Sequence, residues 1–395
     1  MPFSIDTFLR DLTHLPHRGA ATRYEPPAIE LLSATLQEMN ADVRVEPFRT
    51  PRTYVTVVYW LIGSLLVGLL TVKWLGPVAV MVEWAGIVFA WLYFNWRYVP
   101  VGWLPPWATS HNVIGRWGSA TNGADSRTKV ILMAHYDTAP VSLLYRSSQV
   151  KSFRSSLVLS LFLMLLAGVV TTWSLLDPDR VELLYVRGLL AVYFILQAIL
   201  STLGFWLYGY TNGASDNATG VAAALATAER LRQFSHSDLD IEVVLTGAEE
   251  AGMIGSRAYI ERHRHEWPGG RTAIINFDTL GNGTLHVIER TGTLEIITYD
   301  NPLMDLAREL MKEPHFRGKV STGRWHMPDL DSVWFVRAGM PVITLCALDG
   351  QGQMPNIHRP EDQLLRTDLS AVSVAVDFAL KTLTRFYLKK QTVTA

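Results

Sequence analysis

The sequence predicts an α/β fold, a mainly parallel mixed sheet flanked by helices, into which four long apolar helices are inserted as two hairpins. Two observations carry this expectation. Apolar runs of strand length alternate with segments of helical spacing along the polar parts of the chain, the pattern of a sheet built from strand–helix–strand units. Four further runs approach or exceed the roughly 20 residues that cross a bilayer core.

The elements follow in order. Pro26 to Asn40 carries Ile29, Leu32, Leu36 and Met39 at helical spacing, and Val43 to Phe48 alternates as a strand. Strands are expected at 111–117 and 129–135. Ala218 to Phe234 is a helix rich in Ala and Leu, followed by a strand from Ile241 to Thr246. A helix at 253–265, a strand at 272–278 and a hairpin-like stretch at 284–298 come next. A helix at 302–312, a strand from Pro341 to Leu345 and an amphipathic helix over 366–388 complete the set. No internal repeat or low-complexity tract interrupts them.

The apolar runs are Tyr54 to Val72, Leu75 to Trp96 (with Glu83 inside it), Ser155 to Leu176 and Gly188 to Tyr210. Trp60, Trp74, Trp96, Trp103, Trp173 and Trp206 cluster near their ends, as aromatic belts do. Buried core helices of a soluble domain are the alternative, disfavoured by length and by the missing polar face. Lys73 falls in the turn of the first hairpin and Asp177 to Glu182 in that of the second. Glu83 is either a functional intramembrane carboxylate or a packing position. The expected division is 1–50, 111–150 and 211–395 in one polar domain, with hairpins at 54–96 and 155–210. Arg44, Arg49, Arg52, Arg97, Arg116, Arg146, Lys151 and Arg154 flank the polar-domain side; Lys73, Arg180 and Arg187 flank the other. That excess predicts an integral, multi-pass protein of the plasma or inner membrane with its polar domain in the cytoplasm.

Composition narrows the class. Of 395 residues, 49% are hydrophobic and 18% charged, oily for a soluble protein of this size. With 35 basic and 36 acidic side chains and a net charge of −1, no nucleic-acid partner is expected. A single cysteine, Cys346, excludes an internal disulfide framework. Met1 to Ala28 lacks the basic start and apolar core of a cleavable signal peptide.

Five short stretches carry metal-type ligands, most of them after a buried-strand run. His135 ends a run from Lys129, and Asp137 lies two positions on, where it can accept the second imidazole N–H. A polar strand end without a role is an equal alternative. Asp216 sits in a Gly/Ser/Asn turn before a helix; it can bridge two cations with both oxygens, or simply cap the helix. Asn217-Ala218-Thr219 fits a glycosylation sequon, a poor reading for a site-lining loop. Glu249 and Glu250 are adjacent carboxylates that repel unless a cation or proton separates them. One of them at a metal and the other free as a base is the productive division; a solvated helix start is the alternative. Asp278 ends the strand from Thr272, and His358 lies in a Pro-bracketed loop. Two imidazoles and three carboxylates at one sheet edge, with a further glutamate beside them, are what two hydrolytic metal ions need.

In joint order these residues resemble the M28 family of zinc peptidases, the co-catalytic aminopeptidase group. The resemblance covers 1–50 loosely, with His17-Arg18-Gly19, and about 111–390 once the hairpin at 155–210 is set aside. It implies a phosphorylase/hydrolase-like zinc peptidase fold and a peptide substrate. It implies that Asp216 bridges both ions, that His135 and Asp278 complete one, and that Glu250 and His358 complete the other. It also implies that Glu249 is the general base, that Asp137 orients His135, and that the Asp216–Asn217 peptide is cis. Three departures stand out. A membrane hairpin separates His135-Tyr136-Asp137 from Asp216; Leu330-Asp331-Ser332-Val333-Trp334-Phe335 replaces a Ser-Asp-His motif; and no tyrosine is identifiable as the group that polarises the substrate carbonyl.

The donor set suits two Zn²⁺, with Co²⁺ or Mn²⁺ as replacements. Two ions about 3.5–4 Å apart would bridge a hydroxide, from whose water Glu249 takes a proton before passing it to the leaving amine. The alternatives are a single-zinc aminoacyl cyclase or transferase on the same fold, an inactive membrane scaffold, and a transporter; four helices without a repeat disfavour the last.

Overall fold

The computed structural model describes residues 3–118, 127–146, 152–233, 239–267, 270–325 and 329–392. Lys151, counted above among the basic flanks, and Phe234, the expected end of a helix, lie outside the described residues.

One mixed sheet organises the polar part of the chain. Its strands are β1 (Asp42–Pro51), β2 (Trp107–Trp117), β3 (Thr128–His135), β4 (Leu239–Thr246), β5 (Thr272–Phe277), β6 (Thr284–Thr291), β7 (Ile297–Thr298), β8 (Val320–Arg324) and β9 (Val342–Leu348). They lie in the order β1-β2-β4-β3-β5-β9-β6-β7, with β8 beside β6. The central strands β4, β3, β5 and β9 are mutually parallel. β1 and β2 on one side, and β6 and β7 on the other, pair antiparallel. The sheet is therefore mixed, and parallel only at its centre and in the β6–β8 pair. The reason is in the burial: β3, β5 and β9 are buried along their whole length, as parallel strands covered on both faces are. β1 alternates and keeps an exposed edge.

The covering helices are α1 (Ile5–His14), α2 (Glu25–Glu38), α7 (Thr219–Gln233), α8 (Ile254–His263), α9 (Pro302–Leu310), α10 (Val333–Arg337) and α11 (Ser370–Thr392). α7 and α11 pack together over the central strands, joined by α1 and α9. α1, β8 and α10 had no clear signature in the sequence. α1 is a short amphipathic helix whose N-cap, Ser4, accepts the Thr7 N–H. β8 and α10 are five residues each, too short for periodicity to register.

The apolar runs form α3 (Tyr54–Leu75), α4 (Pro77–Phe94), α5 (Phe153–Leu176) and α6 (Val181–Tyr208), all long and apolar enough to cross a membrane by length and composition. They make one bundle, cross-linked by hydrogen bonds from Trp84 Nε1 to Thr172 (3.0 Å) and between Ser160 and Tyr193 (2.8 Å). The outward faces are apolar, with Phe162, Leu176 and Leu189 more than 60% exposed. Lys73 lies in the last turn of α3; the turn itself is Gly76, at φ +56°, followed by Pro77, the residue pair suited to ending one helix and starting another. Arg187 lies inside α6 and is buried, not at the helix end where its position in the sequence put it. Glu83 is fully buried against Gly68, where a Cβ would come within 1.9 Å of its carboxylate.

The second hairpin leaves and rejoins the sheet domain at a single seam. Pro140 and Tyr210 form an antiparallel bridge. The Val141 N–H donates to the Gly209 carbonyl at 2.8 Å, and the Thr211 N–H to the Ala139 carbonyl at 2.9 Å. The 69 residues between Pro140 and Tyr210 therefore begin and end at adjacent points.

Candidate metal centre

The parallel strands deliver their carboxyl ends to one edge of the sheet. His135 ends β3, Asp278 follows β5, Glu249 and Glu250 follow β4, and His358 lies in the loop after β9. Asp216 comes from the loop Ala214–Ala218 ahead of α7. Ligand sites gather at such edges because several strand ends converge there.

The side chains meet. His135 Nε2 lies 3.2 Å from Asp216 Oδ1 and 3.7 Å from Asp278 Oδ1. His358 Nε2 lies 3.3 Å from Asp216 Oδ2 and 3.0 Å from Glu250 Oε2. One ligand atom each from His135, Asp216 and Glu250 falls within 4.8 Å of the others. Among the described residues, Asp216 Oδ2 and Glu250 Oε1 are buried without a well-directed hydrogen bond. Buried carboxylate oxygens converging with imidazole nitrogens are a donor set that fits a bound divalent cation, which would offset their desolvation.

The electrostatics agree with that fit. Burial and the neighbouring Asp216 charge push the Glu250 carboxyl up to about 7, against the pull of His358. Burial also holds Glu249 well above the usual carboxylate range, reinforced by Glu250, Asp331 and Asp278 and opposed by His135. Burial lowers His358, but Glu250 and Asp216 outweigh it and carry the imidazole up to about 10. Asp216 is driven well below the ordinary range: its burial is overcome by His135 and His358. A site so rich in competing charges is a candidate functional centre.

A surrounding frame fixes these groups. The Asp137 carboxylate accepts the backbone N–H groups of Glu249 (3.0 Å) and Glu250 (3.2 Å). It stands 3.6 Å from His135 Nδ1, whose nearer partner is the Asp137 main-chain carbonyl at 3.2 Å. The imidazole thus faces both the main-chain carbonyl and the carboxylate of Asp137, and the two amides of the Glu249–Glu250 turn share that carboxylate. Asp362 accepts the N–H of Ser215 (2.7 Å) and of Asp216 (3.1 Å). Arg18 is fully buried and donates to the carbonyls of Tyr136 (2.7 Å), Asn212 (2.8 Å) and Gly213 (2.8 Å), clamping the Asp216 loop to the end of β3. The Asp216–Asn217 peptide is cis. Asn217 is buried, donates to the Phe277 carbonyl at 2.9 Å and accepts from Gly220 N, so its side chain belongs to the frame. A Cβ on Gly220 would fall 2.1 Å from the Asn217 side chain, which is why the helix can begin this close to the loop. Ala248, Thr279 and His358 all take positive φ (53°, 46° and 54°), local strain of the kind held at functional sites.

Two further residues border the site without a role assigned to them from the sequence. Asp331 is buried and accepts the Thr246 hydroxyl, and the charges of His135 and Asp278 bear on it; the altered motif at 330–335 still places a carboxylate beneath the site. Tyr145, in the short turn Leu143–Tyr145, packs its ring 4.3 Å from that of His358. Burial, with Glu250 next, keeps its phenol protonated well past the usual range. Only its place just ahead of the second hairpin could have signalled it.

Comparison with known proteins agrees with this architecture. The model of peptidase family M28 matches residues 194–383. Over 70 residues the chain is 40% identical to the probable lipoprotein aminopeptidase LpqL of Mycobacterium tuberculosis, a match covering 18% of this chain and only 14% of that protein. Among solved structures, the zinc aminopeptidase BSAP of Bacillus subtilis superposes with a TM-score of 0.57 at 14% identity, covering 97% of this chain and 95% of that one. The glutaminyl cyclase of Bacteroides thetaiotaomicron, bound to N-acetylhistamine, gives 0.57 at 14%, covering 97% and 98%. At such identity these two share the fold. The matched stretch 194–383 carries Asp216, Glu249, Glu250, Asp278 and His358, so five of the six clustered residues fall where the chain is similar to peptidase family M28.

Proposed function

We propose that the chain is a membrane-anchored zinc aminopeptidase in which two ions share Asp216. The observation that carries this reading is that the two oxygens of Asp216 face different imidazoles, Oδ1 toward His135 at 3.2 Å and Oδ2 toward His358 at 3.3 Å. His135 and Asp278 would hold one ion, and Glu250 and His358 the other. Bound zinc supplies Lewis-acid polarisation of the scissile carbonyl and makes water more acidic.

The chain's own residues supply the rest. Glu249 lines the cavity beside the cluster, with its backbone pinned by Asp137. In this reading it takes a proton from the attacking water and hands it to the leaving amine. Tyr145 lines the same cavity as a neutral phenol, suited to donate a hydrogen bond to the carbonyl oxygen as charge develops there. Asp137, Asp362 and Arg18 hold these groups in place.

In this reading the sheet domain takes in the expected 1–50, 111–150 and 211–395, extended to Pro51 and back to Trp107 because β1 and β2 pair there, and the hairpins 54–96 and 155–210 lie in the bilayer. The apolar outward faces of α3 to α6 support that insertion. The basic flanks favour a plasma or inner membrane location with a cytoplasmic sheet domain. A single-zinc cyclase is the second reading, supported by the equal likeness to a glutaminyl cyclase.

Purified full-length chain in detergent, assayed on amino-acid anilides, tests the proposal. Hydrolysis stopped by chelator and restored by zinc, with two zinc ions per chain, is expected. One ion per chain would favour the cyclase reading, and zinc-loaded protein inert towards every anilide and peptide would remove the peptidase.

A further inference from the structure

A cavity of about 260 Å³ runs from His135, Asp216, Glu249, Glu250, Asp278 and His358 into the helical bundle. Its far walls come from α3 between Tyr54 and Ile62, from α5 between Phe153 and Met164, and from α6 between Phe194 and Ser201. At 1.5 Å per helical residue, these walls run about 12 Å along α3 and about 16 Å along α5. An apolar cavity of roughly 150 Å³ already holds a benzene-sized ligand. This one is larger, and longer than any one side chain reaches.

The lining has a definite chemistry. Val57, Leu61, Leu157, Leu161, Met164 and Phe194 make it chiefly apolar. A polar minority continues down the same helices: Ser156, Ser160, Gln197 and Ser201. The Ser160 and Ser201 hydroxyls donate to carbonyls of their own helices, at 2.9 Å to Ser156 and 2.7 Å to Gln197. The Gln197 amide offers two donors and an acceptor. A mostly apolar wall with a few fixed polar groups suits a chain that alternates apolar side chains with amides better than a bare hydrocarbon.

We infer that this arm binds an extended apolar peptide segment on the carboxyl side of the scissile bond, about four residues long at ~3.3 Å per residue. The substrates are hydrophobic peptides that reach the centre through the bundle formed by the inserted hairpins. The inference rests on the peptidase reading for the chemistry at the mouth of the arm. The reaction that supplies such a substrate is a cleavage that frees a new amino terminus on an apolar, membrane-associated peptide.

Two measurements on the full chain in detergent test it. The first is kcat/KM for peptide amides beginning with Leu and extended by one to six apolar residues, against a matched polar series. The apolar series should rise at least tenfold up to about four added residues and then level, with the polar series flat. Leu161→Trp, which narrows the arm, should cut the long-to-short ratio at least tenfold. The second uses chelator-treated protein and an apolar pentapeptide carrying a benzophenone at its fifth residue. Its photo-adducts should map to 54–62, 153–164 or 194–201. A flat apolar series, or adducts outside those three segments, overturns the arm. Failure of the wild-type chain to cleave any peptide counts against the peptidase reading, and the adduct map then decides the arm on its own.

Discussion

The carboxylate of Asp137 holds the backbone N–H of Glu249 at 3.0 Å, so the residue two places after one candidate ligand fixes the start of the turn that carries the candidate base. The other oxygen takes the Glu250 N–H. Asp137→Asn keeps one acceptor but turns an amide donor against the second N–H. Stability should fall by about 1.5–3 kcal/mol, the cost of losing a charged hydrogen bond. Zinc affinity should drop by about 10–100-fold. Denaturant midpoints and zinc titration measure both; a variant matching the wild type in each would show that Asp137 is not a positioning residue.

Glu249 and Asp216 separate chemistry from metal binding. Glu249→Gln should retain its zinc while losing about 10²–10⁴ in kcat. Asp216→Ala should lose both ions. Metal content by elemental analysis decides: two ions still bound to Asp216→Ala would contradict a shared carboxylate.

Tyr145 presents a protonated phenol at the cavity wall, packed on His358. Tyr145→Phe removes one hydrogen-bond donor and keeps the ring. The expectation is a kcat reduced by about 10²–10³, the cost of one donor to a developing oxyanion, with KM little changed. A rise in KM alone would assign the residue to binding instead.

Asp329 gives a pH signature. Burial pushes its carboxyl up to about 7, opposed by Thr291, Trp96 and Arg337. Between the unfolded value near 4 and that folded value, the native chain keeps a proton that the unfolded chain has lost. Its contribution is fully present below pH 4 and is lost as the pH rises to about 7, at no more than about 1.4 kcal/mol per pH unit. Asp329→Asn should flatten that slope, so its stability relative to wild type should improve from pH 5 to pH 7. Urea midpoints in the presence of chelator measure the difference; parallel curves would dissociate Asp329 from the pH dependence.

The elements legible in the sequence are those with a local cause. Helix α2, strands β3 and β5 and the four apolar helices announce themselves by periodicity or by length, because each must bury an apolar face or run. The positions of His135, Glu249, Glu250 and Asp278 after strands were legible too, since apolar runs ending in polar residues mark the carboxyl edge of a parallel sheet, whereas Asp216 and His358 come from loops. What the tertiary structure decided lies between distant residues. The antiparallel flanks of the sheet, the seam at Pro140 and Tyr210, the Arg18 clamp and the turn of the Asp137 carboxylate toward Glu249 each join segments whose meeting no local pattern encodes. Tyr145 on His358 and the cavity between α3, α5 and α6 belong there as well: side-chain chemistry is written in the sequence, but which groups share one low-dielectric space is set only when the chain packs.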